Sequence, residues 1–172
     1  MQKNFSYPLT VEDIAPAEKK YSLAANGKDL EFLAEVLKVP AVKAFSAEIY
    51  TKLIKKEHKL LVWGSVKAEL ELQSVISLEY FAKTYEPEFS VWYDTQATYN
   101  SLREMEYDLE DDVPDLIVDG KIDLGQIAIE QLALVLEDYP RREGEVFEFA
   151  AEFDPNEKNT ENPFSVLAKL KK

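Results

Sequence analysis

The sequence has no cysteine, one histidine and only five glycines. The missing thiols exclude disulfides, thiolate metal sites and a cysteine nucleophile. The glycines are isolated, so the chain has no loop of the kind that cradles phosphate groups. His58 lies among lysines without a visible carboxylate partner, which argues against a nucleophilic triad and predicts a surface histidine. We therefore expect no catalytic site and no cofactor.

Long apolar runs are also missing. No apolar segment follows the first seven residues, so the sequence predicts no signal peptide. No run approaches the ~20 apolar residues that a membrane span needs. These features, with the absence of cysteine, lead us to expect a cytoplasmic protein that does not contact a membrane.

The 172 residues carry a formal net charge of −13. Residues 1–103 hold 13 Lys and Arg against 14 Asp and Glu, whereas residues 104–172 hold 7 against 19. An acidic surface of this kind repels phosphate backbones. We expect no DNA partner, and we expect any contact with RNA to use the nearly neutral first part. A simpler interpretation is that the acidic residues only keep the protein in solution.

The middle of the chain alternates apolar and polar residues with the period of a β-strand. Residues 45–53 and 60–72 each present one apolar face, and residues 55–58 join them as a hairpin loop. Gly64 predicts a bulge or a sharp bend in the second strand, which would let the hairpin curl towards a barrel. Shorter strands are expected at residues 5–9, 20–25, 76–82, 89–93 and 146–153.

Helical periodicity occurs in three places. The first helix is expected to begin at Asp29 as its cap and to end at Pro40. The second, the most apolar, follows Asp123 as N-cap, with Gln126 completing a capping box, and continues as far as Tyr139. Its apolar residues cover more than one face, so most of it should be buried. A short C-terminal helix is expected from residue 162.

These elements predict an α+β fold. We expect a curved antiparallel sheet or a split barrel, covered by a few helices, with an acidic C-terminal region. A single domain is expected over residues 1–153, followed by a linker and a short helix over residues 154–172.

The hairpin loop and its flanks are the most basic part of the chain. Lysines there are suited to an RNA backbone, with Trp63 and Tyr50 nearby on the outer face for base stacking. The alternative is that these lysines only protect the hairpin from edge-to-edge aggregation. The candidate RNA-contact residues are Lys52, Lys55, Lys56, His58, Lys59 and Trp63.

An acidic stretch precedes the second helix, and its candidate partner-docking residues are Asp108, Glu110, Asp111, Asp112 and Asp115. Opposite charges would speed an encounter with a basic partner such as a ribosomal protein. The carboxylates also suit a hard cation, but the stretch lacks the glycine of a calcium loop and is interrupted by Val113-Pro114. A solvated acidic loop is the simplest interpretation, and we expect no metal site.

Two stretches resemble the YceD family of large ribosomal RNA subunit accumulation proteins. They are Asp119-Gly-Lys-Ile-Asp-Leu-Gly-Gln-Ile-Ala-Ile-Glu-Gln-Leu-Ala-Leu-Val-Leu with Tyr139-Pro-Arg after it, and the terminal Asn162-Pro-Phe-Ser-Val-Leu-Ala-Lys-Leu. The positions that match the family pattern are Asp123, Leu124, Glu130, Leu132, Pro140, Arg141, Asn162, Pro163 and Phe164. Most of these suggest structural roles as cap, core and terminal anchor. Glu130 is a charge on an apolar helix, and Arg141 or Arg142 is its candidate partner.

The resemblance implies a cytoplasmic bacterial protein needed for normal accumulation of large-subunit ribosomal RNA, without an established catalytic activity. Many members carry cysteines after the helix. This chain has Arg141-Arg-Glu-Gly-Glu-Val there, so no metal or redox role attached to those cysteines transfers.

The leading hypothesis from the sequence is a non-catalytic ribosome-assembly factor that joins large-subunit RNA to a basic ribosomal protein. The acidic part would bind the protein, and the hairpin would contact the RNA. Two alternatives remain open. One is a general protein-interaction domain, and the other is a metal-dependent hydrolase that uses the carboxylates near Asp111.

Overall fold

The computed structural model describes residues 5–98, 100 and 113–146. Two helices and seven strands occur in this part of the chain. The helices are α1 (Gly27–Leu37) and α2 (Leu124–Ala133). The strands are β1 (Pro8–Thr10), β2 (Lys19–Ala24), β3 (Ala41–Ile54), β4 (Lys59–Gln73), β5 (Tyr80–Tyr85), β6 (Glu88–Asp94) and β7 (Lys121–Asp123). The strand and helix predicted after residue 146 lie outside the described residues, as do Asn162, Pro163 and Phe164.

Strands β2 to β6 form one antiparallel sheet around the long β3–β4 hairpin. Its order is β2-β3-β4-β5, and β6 also pairs with β4. Since β4 has 15 residues, one edge accommodates two partners: β6 along residues 59–65 and β5 along residues 68–73. The predicted α+β fold and antiparallel sheet are confirmed. The described strands do not close into a barrel.

The alternating pattern of β3 and β4 correctly predicts which side chains face the core. The buried residues of the two strands include Phe45, Ala47, Ile49, Leu53, Leu60, Val62, Val66, Ala68, Leu70 and Leu72. Leu33 of α1 and five of the ten residues of α2 belong to the same apolar core. The two helices therefore cover the inner face of the sheet. Apart from the buried Thr51, the polar, basic and remaining aromatic side chains of β3 and β4 lie on the outer face.

Gly64 does not mark the bulge that we expected in β4. The pairing of β3 with β4 passes Gly64 opposite Ile49 without a change of register. The register shift of this pair lies instead between Val42 and Ala44 of β3. Gly64 marks a close approach of the two backbones.

Helix α1 begins earlier than predicted because Asn26, not Asp29, is its N-cap. The Asn26 side-chain oxygen accepts the Lys28 N–H at 3.2 Å, and the Asp29 carboxylate accepts the Asn26 N–H at 3.0 Å. Asp29 is thus the third helical residue of a capping box. Lys38 ends the helix in the left-handed conformation, with φ of 55°.

The strand predicted at residues 76–82 begins only at Tyr80. The hydroxyl of the buried Ser74 accepts the N–H groups of Ile76 at 3.1 Å and Ser77 at 3.3 Å, and its carbonyl accepts the Leu78 N–H at 3.0 Å. These bonds hold residues 74–78 in a turn, because a serine side chain can replace the strand ladder as a partner for nearby backbone groups.

Helix α2 begins where the sequence predicts but ends earlier. The Leu134 N–H still reaches the Glu130 carbonyl four residues back, but the N–H groups of Val135 and Leu136 reach carbonyls only three residues back. Leu134 is 76 % exposed, so continuing the helix would bury little. The Pro140 carbonyl then accepts the Val75 N–H at 2.9 Å. This contact draws the chain towards the turn between β4 and β5, away from the helix axis.

A short ladder between β1 and β7 ties the N-terminal part of the chain to the start of α2. The Asp123 carboxylate accepts the Tyr7 N–H at 2.8 Å and the Ser6 hydroxyl. The Leu124 N–H donates to the Tyr7 carbonyl at 3.0 Å. Asp123 therefore holds β1 in place as well as capping the helix.

Candidate functional site

The tip of the β3–β4 hairpin is a 3-10 turn over Lys55–Glu57. Lys55, Lys56 and His58 are exposed there. His58 closes the turn in the left-handed conformation, with φ of 51°. Its carbonyl accepts the backbone N–H of Thr95 at 2.8 Å and the Thr95 hydroxyl at 3.1 Å. The basic tip is therefore anchored to the end of β6.

One cross-strand row on the outer face combines two aromatic rings with a lysine. Strand register places Lys20, Tyr50, Trp63 and Ser90 side by side on β2, β3, β4 and β6. The rings of Tyr50 and Trp63 stack, with centroids 5.8 Å apart and planes 16° from parallel. Lys20 Nζ lies 5.7 Å from the Tyr50 ring centroid. Lys20 also bonds Glu48 at 2.8 Å, and this bond raises the pKa of the lysine. We call these four residues the aromatic row.

The neighbouring row, towards the hairpin tip, adds a second aromatic position. It consists of Lys52, Leu61 and Trp92 on β3, β4 and β6. Lys59 Nζ lies 4.3 Å from the Trp92 ring centroid, a cation–π contact. The two rows thus place aromatic rings and ammonium groups at one end of the outer face. We define the basic–aromatic surface as Lys20, Tyr50, Lys52, Lys55, Lys56, Lys59, Trp63, Ser90 and Trp92.

This surface combines the two kinds of side chain that proteins use to bind single-stranded nucleic acid, cationic and aromatic ones. Ammonium groups neutralise phosphates, and aromatic rings offer flat faces for bases. The acids that the structure places at its margin are Glu48, which Lys20 bonds, Glu57 in the turn, Asp94, which lies opposite Lys59 in the register, and Glu88, which lies two residues before Ser90 on the same face of β6. Lysines outnumber these acids, although the whole chain is acidic.

The structure brings the predicted RNA-contact residues to one end of the sheet. Lys52, Lys59 and Trp63 are on adjacent rows, and the rest are at the tip. Sequence reasoning missed Lys20 and Trp92, because they join the surface only through the pairing of β2 and β6. The alternation of apolar residues in β6 already indicated that Trp92 faces outward.

Among the acidic docking candidates, Asp108, Glu110, Asp111 and Asp112 lie outside the described residues. Asp115 is exposed, and its N–H donates to the Trp92 carbonyl at 2.9 Å. Burial raises the pKa of the Tyr93 hydroxyl, and the charges of Asp115 and Glu130 raise it further. Carboxylates therefore lie close to the inner side of β6, opposite the basic–aromatic surface.

The expected pairing of Glu130 with Arg141 or Arg142 is not observed. Glu130 is exposed and accepts the Gln126 side-chain amide at 2.9 Å, which also takes Gln126 out of the predicted capping box. Arg142 pairs with Glu79 and with Glu145, and Arg141 is exposed. The charge of Glu130 needs no buried partner because solvent reaches it.

The other described family-pattern positions serve the fold. Leu124 and Leu132 are fully buried, and Asp123 caps α2 through the N–H groups of Gly125 at 2.9 Å and Gln126 at 3.2 Å. Within the described residues no group of three or more His, Asp or Glu could hold a metal ion, and no helix is long and apolar enough to cross a membrane.

A family model described as Large ribosomal RNA subunit accumulation protein YceD matches residues 62–171. The chain belongs to the YceD family. The resemblance seen in the sequence is thereby confirmed, and the family's description supports a ribosome-related role. Trp63, Ser90, Trp92 and all of α2 lie within the match, whereas the hairpin tip precedes it. Searches of curated proteins and of solved structures each give no match.

Proposed function

We propose that this YceD-family protein is a non-catalytic factor for the accumulation of large-subunit ribosomal RNA, and that it is an adaptor between that RNA and a basic ribosomal protein. The observation that carries the RNA half is the basic–aromatic surface. It concentrates lysines and stacking rings at one end of an acidic protein whose family is named for ribosomal RNA.

Electrostatics favours one orientation of the RNA. Acidic residues dominate the second part of the chain and repel phosphates there, so RNA approaches the hairpin end of the sheet. Lys52, Lys55, Lys56 and Lys59 then displace counterions from the backbone. The acidic second part of the sequence is then left for a partner of opposite charge, such as a basic ribosomal protein.

The protein half of the proposal rests on the acidic stretch that ends at Asp115. The backbone of Asp115 is hydrogen-bonded to β6, the strand that also carries Trp92. A basic protein held at this stretch would therefore lie close to RNA held on the outer face. Charge complementarity of this kind raises the rate of association more than the final affinity.

Charge reversal at the hairpin tests the RNA half. The triple variant Lys55→Glu, Lys56→Glu, Lys59→Glu is expected to lose at least about tenfold in affinity for large-subunit RNA at physiological salt. Its plot of log affinity against log salt should also be flatter, by about two in slope, because three phosphate contacts are removed. Filter binding across a salt series measures both quantities.

The matched control reverses three exposed lysines elsewhere: Lys28→Glu, Lys38→Glu and Lys121→Glu. It changes the net charge equally, so only a local role of the hairpin separates the two variants. Equal losses in both would show that the surface does not bind RNA. In a crosslinked pull-down from its own cells, large-subunit RNA and ribosomal proteins should be enriched over the hairpin variant, and no enrichment would contradict the adaptor.

A further inference from the structure

The last residue of the aromatic row, Ser90 on β6, is much smaller than the ring of Trp63 beside it. Tyr50 covers one face of the Trp63 ring, and the opposite face is directed towards β6. The residue that β6 places there is Ser90, an exposed side chain with a single hydroxymethyl group. Strands are about 4.8 Å apart, which falls within the range of about 4.5–7 Å between the ring centroids of aromatic pairs. We propose that Trp63 and Ser90 form a slot for one unpaired RNA base, stacked on Trp63.

The ring orientation supports a slot rather than a flat platform. Side chains stand roughly perpendicular to a sheet, and the Tyr50 and Trp63 planes are 16° from parallel. A base above Ser90 would therefore continue an existing stack of Lys20, Tyr50 and Trp63. An offset stack of this kind is the favoured geometry for aromatic pairs.

The lysines around the slot select a nucleotide over an apolar side chain. Lys52 is in the next row on β3, and Lys59 lies over Trp92, which is the diagonal neighbour of Trp63 on β6. Diagonal cross-strand neighbours are about 7–8 Å apart. Lys52 is such a neighbour of Trp63, and together with Lys59 it lies on the hairpin side of the slot, whereas Glu48 and Glu88 occupy the diagonal positions on the other side. The phosphates that flank a stacked base are therefore expected on the hairpin side.

The slot requires RNA that is not base-paired. In a duplex both faces of a base are covered by its neighbours, and proteins read unpaired bases by stacking them on aromatic side chains. The slot deepens the proposed function, because it names the RNA class that the basic–aromatic surface takes. It lies inside the stretch that matches the family, whereas the hairpin tip does not.

Filling the slot is the most direct test. Ser90→Val inserts a branched apolar side chain at an exposed strand position that valine favours, so folding should persist. With a randomised single-stranded RNA of about 12 nucleotides as the probe, Ser90→Val is expected to bind about tenfold more weakly than the wild type. Trp63→Leu should lose at least as much. Ser22→Val, the same change on the outer face of β2, should stay within about twofold.

A spectroscopic reading separates stacking from a general loss of affinity. The chain has two tryptophans, so Trp92→Phe leaves Trp63 as the sole one. Adding the single-stranded probe to Trp92→Phe should quench Trp63 fluorescence, and an RNA hairpin of equal length should not. Ser90→Val in this background should abolish the quenching even at saturating RNA.

The outcomes distinguish the slot from the function on which it rests. If RNA binding depends on Lys55, Lys56 and Lys59 but Ser90→Val binds as the wild type does, the slot is wrong and the proposed function stands. Equal affinity for paired and single-stranded RNA would also overturn the slot. If the wild type binds neither probe at low salt, both proposals fail.

Discussion

Gly64→Ala is expected to lower the free energy of unfolding by about 3 kcal/mol or more, or to prevent folding. A Cβ atom at Gly64 would lie 2.0 Å from the Glu48 carbonyl oxygen, 2.9 Å from the Glu48 carbonyl carbon and 2.9 Å from the Ile49 Cα. All three are backbone atoms of β3, so no change of rotamer relieves the clash. The two central strands of the sheet would have to separate.

Gly27→Ala is the matched control. Nothing lies within 4 Å of a Cβ built at Gly27, the first residue of α1, and alanine favours a helix. This variant should be as stable as the wild type or slightly more stable. Urea denaturation gives both free energies. If Gly64→Ala unfolds within about 0.5 kcal/mol of the control, β3 and β4 are not as close as described.

Strands β3 and β4 show which features a sequence pattern predicts and which it does not. Alternation over β3 and β4 correctly predicts the long hairpin and its buried face, because burial of one face imposes a period of two on the side chains. An isolated glycine inside a strand indicates either a bulge or a close approach. The sequence does not distinguish them at Gly64, since the difference depends on the β3 backbone opposite it.

Local hydrogen bonds explain the misplaced boundaries. The apolar residues Ile76 and Leu78 have the spacing of a strand, yet Ser74 bonds to the backbone after it and forms a turn. The apolar run of α2 continues past Ala133, yet the bond between Pro140 and Val75 redirects the chain. Such contacts involve single polar groups and do not alter the apolar pattern.

The part of the candidate site that lies on the β3–β4 hairpin was predictable from the sequence, and the part on β2 and β6 was not. Lys52, Lys59 and Trp63 lie on one hairpin, whose register follows from its loop and its alternation. Lys20 and Trp92 enter through strands whose partners are far away in sequence. Strand pairing across the sheet, which the sequence leaves open, decides that Ser90 rather than a bulky residue lies beside Trp63.

Asp123→Ala is expected to lower the free energy of unfolding by about 2–4 kcal/mol. The carboxylate caps α2 through two backbone N–H groups and also accepts the Tyr7 N–H and the Ser6 hydroxyl. Alanine removes the helix cap and leaves the Tyr7 N–H without this acceptor, so β1 and α2 lose a common anchor. Asn26→Ala removes only a helix cap and should cost about 1 kcal/mol.

The pH dependence of stability isolates the charge of Asp123. Burial by itself raises the pKa of Asp123, but the hydrogen bonds from Ser6, Tyr7, Gln126 and Gly125 outweigh burial and hold it below its usual value. Its stabilising contribution is therefore complete above the unfolded pKa of about 4 and is lost as the pH falls through the folded pKa. Asp123→Asn keeps a capping oxygen but cannot ionise. Urea midpoints of the wild type and Asp123→Asn should converge on acidification below about pH 4, and a constant gap would show that the carboxylate is not held in its charged form.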